Sequence, residues 1–433
     1  MVVVPLVLFS GTDRPCLSSN RSFAMRGVPA LLALAVFAAT AHAQTAPAAG
    51  RLVLLHANVI DGTGAAPARN VTVVLDAGKV VSIGATATAG GAADTIDLAG
   101  RWVVPGLIDA HTHINNTAAM KRALESGVTT VRSANTPHYE DVSLRALVRA
   151  GAIPGPEMLA AGVFVTPNLG ETILADPRLV VFANGVTTPA QLAALVNINI
   201  DRGADWIKTR ATERAGLAEQ DPRKQVYSET QLRAIVDAAK ARGVGVLVHA
   251  HGDEGAYAAV KAGARTIEHG TYISDSTLRL MKERGTCFTP TFTTLFDLAE
   301  PGGDYDSAPL QLRATHMIPR AAEAIKGAYA LGVPVITGVD TEYGPNSTSR
   351  ISLEIAHLRD LGFTAMDALR SATAVAATCL GIAQRVGTLK AGMEADLVVV
   401  ERNPLDDVRA LQDAVIVIAD GRVALKRIPF GVR

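Results

Sequence analysis

Between residues 105 and 340, short runs of β-branched and aliphatic residues alternate with longer helix-like segments. The runs number eight: 105–111, 128–132, 158–163, 205–209, 245–249, 265–269, 286–291 and 333–340. Alternation of this kind implies parallel strands joined by crossover helices. Eight units spread over about 280 residues fit a closed (β/α)8 TIM barrel. A doubly wound sheet is the competing α/β architecture, but no GxGxxG follows the first run, so the nucleotide signature of that fold is missing. Segment 228–242 predicts a helix opened by a Ser228/Gln231 capping box and closed by Gly243, and 364–380 predicts another.

The two ends have a different texture. Short strand-like runs at 52–55, 71–75, 79–83, 95–98 and 102–104 are punctuated by Asp61-Gly62 and Ala77-Gly78. Runs at 396–401, 414–419 and 422–425 are punctuated by Asn403-Pro404 and Asp420-Gly421. Neither cluster is large enough to be stable alone, which predicts one small β-sandwich assembled from 44–104 and 386–433, flanking a barrel over 105–385.

Residues 1–43 read as a signal-peptide region whose effective start is Met25. Arg26 precedes an apolar run over 28–41, too short to cross a bilayer, and Ala41-His42-Ala43 makes a small-residue cleavage site. A periplasmic or secreted protein is expected, with no membrane attachment after cleavage. The 41 basic and 41 acidic residues give no electrostatic reason to expect nucleic acid as a partner. With 48% hydrophobic and 19% charged residues, intrinsic disorder is excluded. Cys16, Cys287 and Cys379 sit in no CxxC pair, which excludes a thiolate metal site, and are too few for a disulfide framework.

Five of the ten histidines fall at the ends of three predicted strands. His111 and His113 are two apart, so a strand points both at one face, where they can share an ion or be unrelated surface histidines. His249 and His251 end the fifth run and His269 the sixth; singly each could be a core histidine. Neutral imidazoles gathered on one rim are what a zinc site needs. Asp340 closes the eighth run, as a ligand or as a turn aspartate before Gly344-Pro345. Lys208 ends a mostly apolar strand, where it must snorkel, pair or lose its proton. As a neutral amine it can take up carbon dioxide, giving a carbamate able to bridge two cations.

These segments carry a resemblance. Val-Pro-Gly-Leu-Ile-Asp-Ala-His-Thr-His at 104–113, Val-His-Ala-His-Gly at 248–252, Ile-Glu-His-Gly at 267–270 and the closing segment 387–397 are similar to the amidohydrolase superfamily. The likeness is greatest to its prolidase-like and ochratoxinase-like branch, related to imidazolonepropionase, and it covers essentially the whole mature chain. The resemblance implies two zinc ions, with His111, His113 and Asp340 on one and His249 and His269 on the other. Carboxylated Lys208 and a hydroxide would bridge them. It also implies that Asp340 moves the proton from the attacking oxygen to the leaving amine. Mononuclear deaminase-like members carry a catalytic glutamate where this chain has Gly252, which weighs against that reaction. His249 is then the ligand, and His251 is freed for substrate or transition-state contacts.

The branch implies a dipeptide or N-acyl amino acid with a free carboxylate as the small-molecule substrate, and it is consistent with a homo-oligomer. Arg210, two residues beyond Lys208, is placed either to bind that carboxylate bidentately or to stand as a solvated rim charge or a partner of Glu213. Tyr227 and His251 are further substrate-binding candidates. The reaction expected is metal-assisted hydrolysis of an amide or peptide bond. Hydrolysis of a cyclic amide, lactone or phosphotriester would use the same ligands. A non-catalytic periplasmic binding protein would be favoured by loss of a ligand, and none is lost.

Overall fold

A computed structural model describes residues 49–85, 93–302 and 307–427. The expected leader and its cleavage site lie outside the described residues. The chain divides into Met1–Ala43 and Gln44–Arg433, and all described residues belong to the second unit.

Five strands open it: β1 (Leu52–Val59), β2 (Ala68–Asp76), β3 (Lys79–Gly84), β4 (Asp94–Asp97) and β5 (Trp102–Pro105). Seven more alternate with helices: β6 (Leu107–Thr112), β7 (Val128–Ser133), β8 (Glu157–Leu159), β9 (Trp206–Arg210), β10 (Gly245–Ala250), β11 (Thr266–His269) and β12 (Cys287–Thr289). The last three are β13 (Leu397–Val400), β14 (Ala414–Ala419) and β15 (Arg422–Lys426).

The two ends meet in one eight-stranded sheet of order β15-β14-β13-β5-β1-β2-β3, with β4 beside β1. Antiparallel pairing of β13 with β5, Val399 opposite Val103, sews the C-terminus to the N-terminus. Leu54, Val73, Leu75, Val103, Leu397 and Ile416 are fully buried beneath it. Both hairpin turns, Ala77-Gly78 and Asp420-Gly421, place two consecutive residues at positive φ, the geometry that matches strand twist across a two-residue loop. The two ends do assemble together, as one connected sheet among the described strands.

The central part is mixed α/β, and its named strands pair in parallel. Strands β6-β7-β8 form one sheet and β9-β10-β11-β12 another. Single parallel bridges connect Val165 to Thr209, Phe288 to Val335 and Thr112 to Thr341. The eighth predicted run, 333–340, is therefore no regular strand. Its backbone still bonds to both neighbours, with Ile336 N–H donating to Phe288 O at 2.8 Å and Asp340 N–H to His111 O at 2.8 Å. Irregularity here has two local causes. A side chain at Gly338 would meet His111 Cβ at 2.7 Å, and Asp340 adopts a left-handed φ of 48°.

The helix Glu229–Ala241 forms with both arms of the predicted capping box and buries Leu232, Ile235, Val236 and Ala239, one face at helical spacing. The expected helix 364–380 is two helices, Ala365–Ser371 and Ala374–Leu380, broken at Thr373. The break turns two carbonyls toward the strands: Ala372 O accepts from Ile108 N–H and Ser371 O from Thr337 N–H. Cys379 in the second helix is disulfide-bonded to Cys287, which opens β12, a link that counting three cysteines did not anticipate.

Candidate active site

One cleft gathers His111, His113, Lys208, His249, His251, His269 and Asp340. The side chains come from β6, β9, β10 and β11, from the residues that directly follow β6 and β10, and from the irregular segment, and all seven were singled out in the sequence. Two groups of ligand atoms, each within 4.8 Å of one another, are His111, His113 and Asp340, and His249, His251 and His269. His251 thus sits with the second group, although the resemblance had set it aside from metal binding. Lys208 Nζ lies 3.3 Å from His111 Nε2.

Each ring has one nitrogen engaged away from the cluster. His111 Nδ1 donates to Glu268 Oε2 at 2.6 Å and His113 Nδ1 to Asn135 O at 3.1 Å. His249 Nε2 donates to Glu213 O at 3.0 Å, leaving Nδ1 with the lone pair. His251 Nδ1 is 2.9 Å from Thr271 Oγ1, and His269 Nδ1 is 2.7 Å from Thr291 Oγ1. Such outer contacts fix tautomer and ring orientation, as partners of metal-binding histidines do. Asp340 Oδ1 lies 3.0 Å from His113 Nε2 and 3.4 Å from His111 Nε2.

Electrostatics favour the forms that bind metal. Burial holds His249 and His269 well below the usual imidazole range and brings His251 down to about 3, so all three are neutral donors. Burial also lowers the Lys208 ammonium to about 8, against the opposing pull of Glu268 and Asp340. Burial alone would raise the Asp340 carboxyl, yet His111 and His113 hold it well below the carboxylate range. Neutral imidazoles, an ionised carboxylate and a lysine that can shed its proton are a donor set suited to divalent metal ions with nitrogen and oxygen ligands.

Several functional neighbours escaped sequence reasoning. Glu268 is fully buried and holds both His111 and Arg132, whose Nη2 donates to Glu268 Oε1 at 2.9 Å. Arg132 also donates to Ala110 O at 2.8 Å and Thr266 Oγ1 at 3.0 Å. Strand alternation would set Glu268 and His269 on opposite faces. A left-handed φ of 73° at His269 lets both serve one site. Arg214 lines the cleft, whereas Arg210 lines an adjoining chamber. Glu213 pairs with Lys224 at 2.8 Å, which leaves Arg210 without the ion pair considered for it. Tyr227 is corrected as a substrate contact: it is 1% exposed and its hydroxyl donates to Val186 O at 3.0 Å. Gly252 is needed where it stands, because a Cβ there would lie 2.4 Å from Arg223 O. The glutamate of deaminase-like members has no room.

Fold and site together define a metal-dependent hydrolase of carbon–nitrogen bonds. A model of the amidohydrolase family matches residues 102–424, and the chain belongs to that family. It is 26% identical over 350 residues to ochratoxinase of Aspergillus niger, covering 72% of each chain. A crystal structure of a Xaa-Pro dipeptidase with bound methionine in the active site superposes with a TM-score of 0.76 at 27% identity, covering 86% of this chain and 99% of the other. A prolidase complexed with N-methylphosphonate-L-proline gives 0.76 at 26% identity, covering 87% and 100%.

Proposed function

We propose that the protein hydrolyses the amide or peptide bond of a dipeptide or N-acyl amino acid, using two zinc ions bridged by carboxylated Lys208. The observation that carries this reading is the position of Lys208. Its Nζ lies 3.3 Å from His111 Nε2 of one ligand group, and it lines one cleft with His249 and His269 of the other. The single parallel bridges that join β9 to Val165, β12 to Val335 and β6 to Thr341 support a (β/α)8 barrel with the site at the carboxyl ends of its strands. The dipeptidase and prolidase neighbours, one holding methionine and the other an L-proline derivative, support a substrate built on an amino acid.

His111, His113 and Asp340 would hold one ion, His249 and His269 the other. Bound there, the pair would polarise the scissile carbonyl and acidify water. Asp340, ionised and half-buried beside two imidazoles, accepts the proton of the attacking water and returns it to the leaving nitrogen. His251, neutral and stacked on His269 with ring centroids 4.7 Å apart, contacts the carbonyl oxygen. Leu295 and Leu298 give the cleft an apolar wall. Export is part of the proposal: a disulfide between Cys287 and Cys379 persists in oxidising compartments such as the periplasm or the medium.

Metal analysis combined with turnover of a library of dipeptides and N-acyl amino acids tests the reading. Two zinc equivalents and hydrolysis of at least one member are expected. A metal-replete protein that cleaves none of them would overturn it.

A further inference from the structure

The helix Phe292–Ala299 lines the cleft with Thr294, Leu295 and Leu298, and its start lacks the usual cap. The N-cap residue is Thr291, a residue type whose hydroxyl ordinarily accepts from first-turn N–H groups, yet its side chain makes no such bond. Thr291 Oγ1 instead lies 2.7 Å from Nδ1 of His269. The residue stands at a left-handed φ of 49°, a conformation that a β-branched side chain keeps only where its surroundings impose it.

Glu354 supplies the missing cap. It belongs to the helix Ile351–Asp360 and is fully buried. Its Oε1 accepts the N–H of Phe292 at 2.8 Å, and its Oε2 accepts the N–H of Thr293 at 2.7 Å and the Thr293 hydroxyl at 2.6 Å. Phe292 and Thr293 are the first two helical residues. A carboxyl group from a neighbouring helix therefore takes donors that Thr291 leaves orphaned, at the positive end of the helix dipole. Burial pushes the Glu354 carboxyl up to about 7, against the three hydrogen bonds that favour its charged form.

The same turn reaches the other ligand group. Thr294 Oγ1 donates to Val339 O at 2.6 Å, directly before Asp340. His269 is tied to this turn through Thr291, and Asp340 through the backbone of Val339. His357, one turn beyond Glu354, stacks on Phe296 with ring centroids 4.3 Å apart, so the two helices are held at a second point.

We infer that Glu354 is a positioning residue of the active site: by capping the helix Phe292–Ala299 it frees the Thr291 hydroxyl to orient His269, and it fixes the turn that ties Thr294 to the Asp340 segment. The inference rests on the proposed reading of His269 as a metal ligand. Glutamine cannot take over this role. One end of its amide is an NH2, which would face the N–H of Phe292 or of Thr293 donor to donor.

The test is zinc affinity, by chelator competition, of Glu354→Gln, Thr291→Val and the double variant, with thermal midpoints alongside. Each single variant should bind zinc about tenfold more weakly, as when a partner of a metal-binding histidine is lost. The double variant should be no weaker than the poorer single one, because both changes remove the same support. A residue that serves the fold alone would lower the midpoint and leave the zinc affinity of the folded protein unchanged. That outcome, or losses that multiply in the double variant, would overturn the inference. Thr293→Val leaves the buried carboxyl in place and should weaken zinc binding in the same direction; if Glu354→Gln does not fold, an unchanged affinity of Thr293→Val overturns the inference. If the wild type takes up no zinc, the metal reading fails, and a crystal structure of Glu354→Gln or Thr293→Val judges the positioning role. Thr291 Oγ1 should then have left His269 Nδ1, and a retained contact would contradict it.

Discussion

Glu268 accepts the Nδ1–H of His111 at 2.6 Å, and neither side chain is reached by solvent. Through its other oxygen the same carboxylate is tied to Arg132 at 2.9 Å, so one buried ion pair sets the orientation of a ligand histidine. Burial opposes ionisation of Glu268, but Arg132 and His111 bring its carboxyl down to about 2. Glu268→Gln should weaken metal affinity about 10- to 100-fold, the usual effect of losing a partner that orients a metal-binding histidine. Chelator competition measures this directly, and an unchanged affinity would show that His111 needs no such support.

Arg132→Met should be worse for the fold than for the metal. It strands a fully buried carboxylate, at a cost of about 3–5 kcal/mol. Denaturant unfolding should show that loss, and Arg132→Met/Glu268→Gln should recover part of it. A single variant as stable as the wild type would contradict the pairing.

The gathering of these residues in one cleft was legible because each stands at or beside the end of a strand-like run, and runs of β-branched residues are readable by periodicity. Asp340 was legible although its segment is not a regular strand, since the backbone follows its neighbours even where Gly338 and a left-handed φ interrupt the ladder. Glu268 stood inside a quoted motif and received no role, because strand alternation hides it until the positive φ of His269 is known. Tyr227 was misjudged for lack of long-range information: its partner Val186 is 41 residues away in sequence. The break at Thr373 and the Cys287–Cys379 link are likewise set by packing against distant strands, which local propensity does not encode.

A pH effect follows from Asp396, far from the ligand cluster in the sheet formed by both ends. Burial raises its carboxyl to about 7, against the hydrogen bond donated by Asp420 N–H at 2.8 Å. Between about 3.8 and 7 the folded chain holds a proton here that the unfolded chain releases, so this group makes stability fall as pH rises through that window. Asp396→Asn removes the contribution. Its thermal midpoint, measured against wild type at pH 5 and pH 8, should compare more favourably at pH 8. A difference independent of pH would show that Asp396 does not titrate in this way.

The disulfide closes a sequence separation of 92 residues between a strand and a helix. Cys287→Ala/Cys379→Ala should lose about 2–4 kcal/mol of unfolding free energy. Thiol titration of the denatured, unreduced protein from its native host should find neither sulfur free. Two reactive thiols would contradict the link and remove one support for export.

The central claim is that Lys208, written as a cation in the sequence, acts as an anionic bridge. Its most direct test is the zinc content of Lys208→Ala before and after addition of propionate, with Lys208→Arg alongside. The account predicts that Lys208→Ala loses zinc and activity and that propionate partly restores both, since a diffusing carboxylate can supply the missing oxygens. It predicts no rescue of Lys208→Arg, whose guanidinium stays protonated beside the ions. A zinc-replete, fully active Lys208→Arg enzyme would contradict the bridge and the two-metal site built upon it.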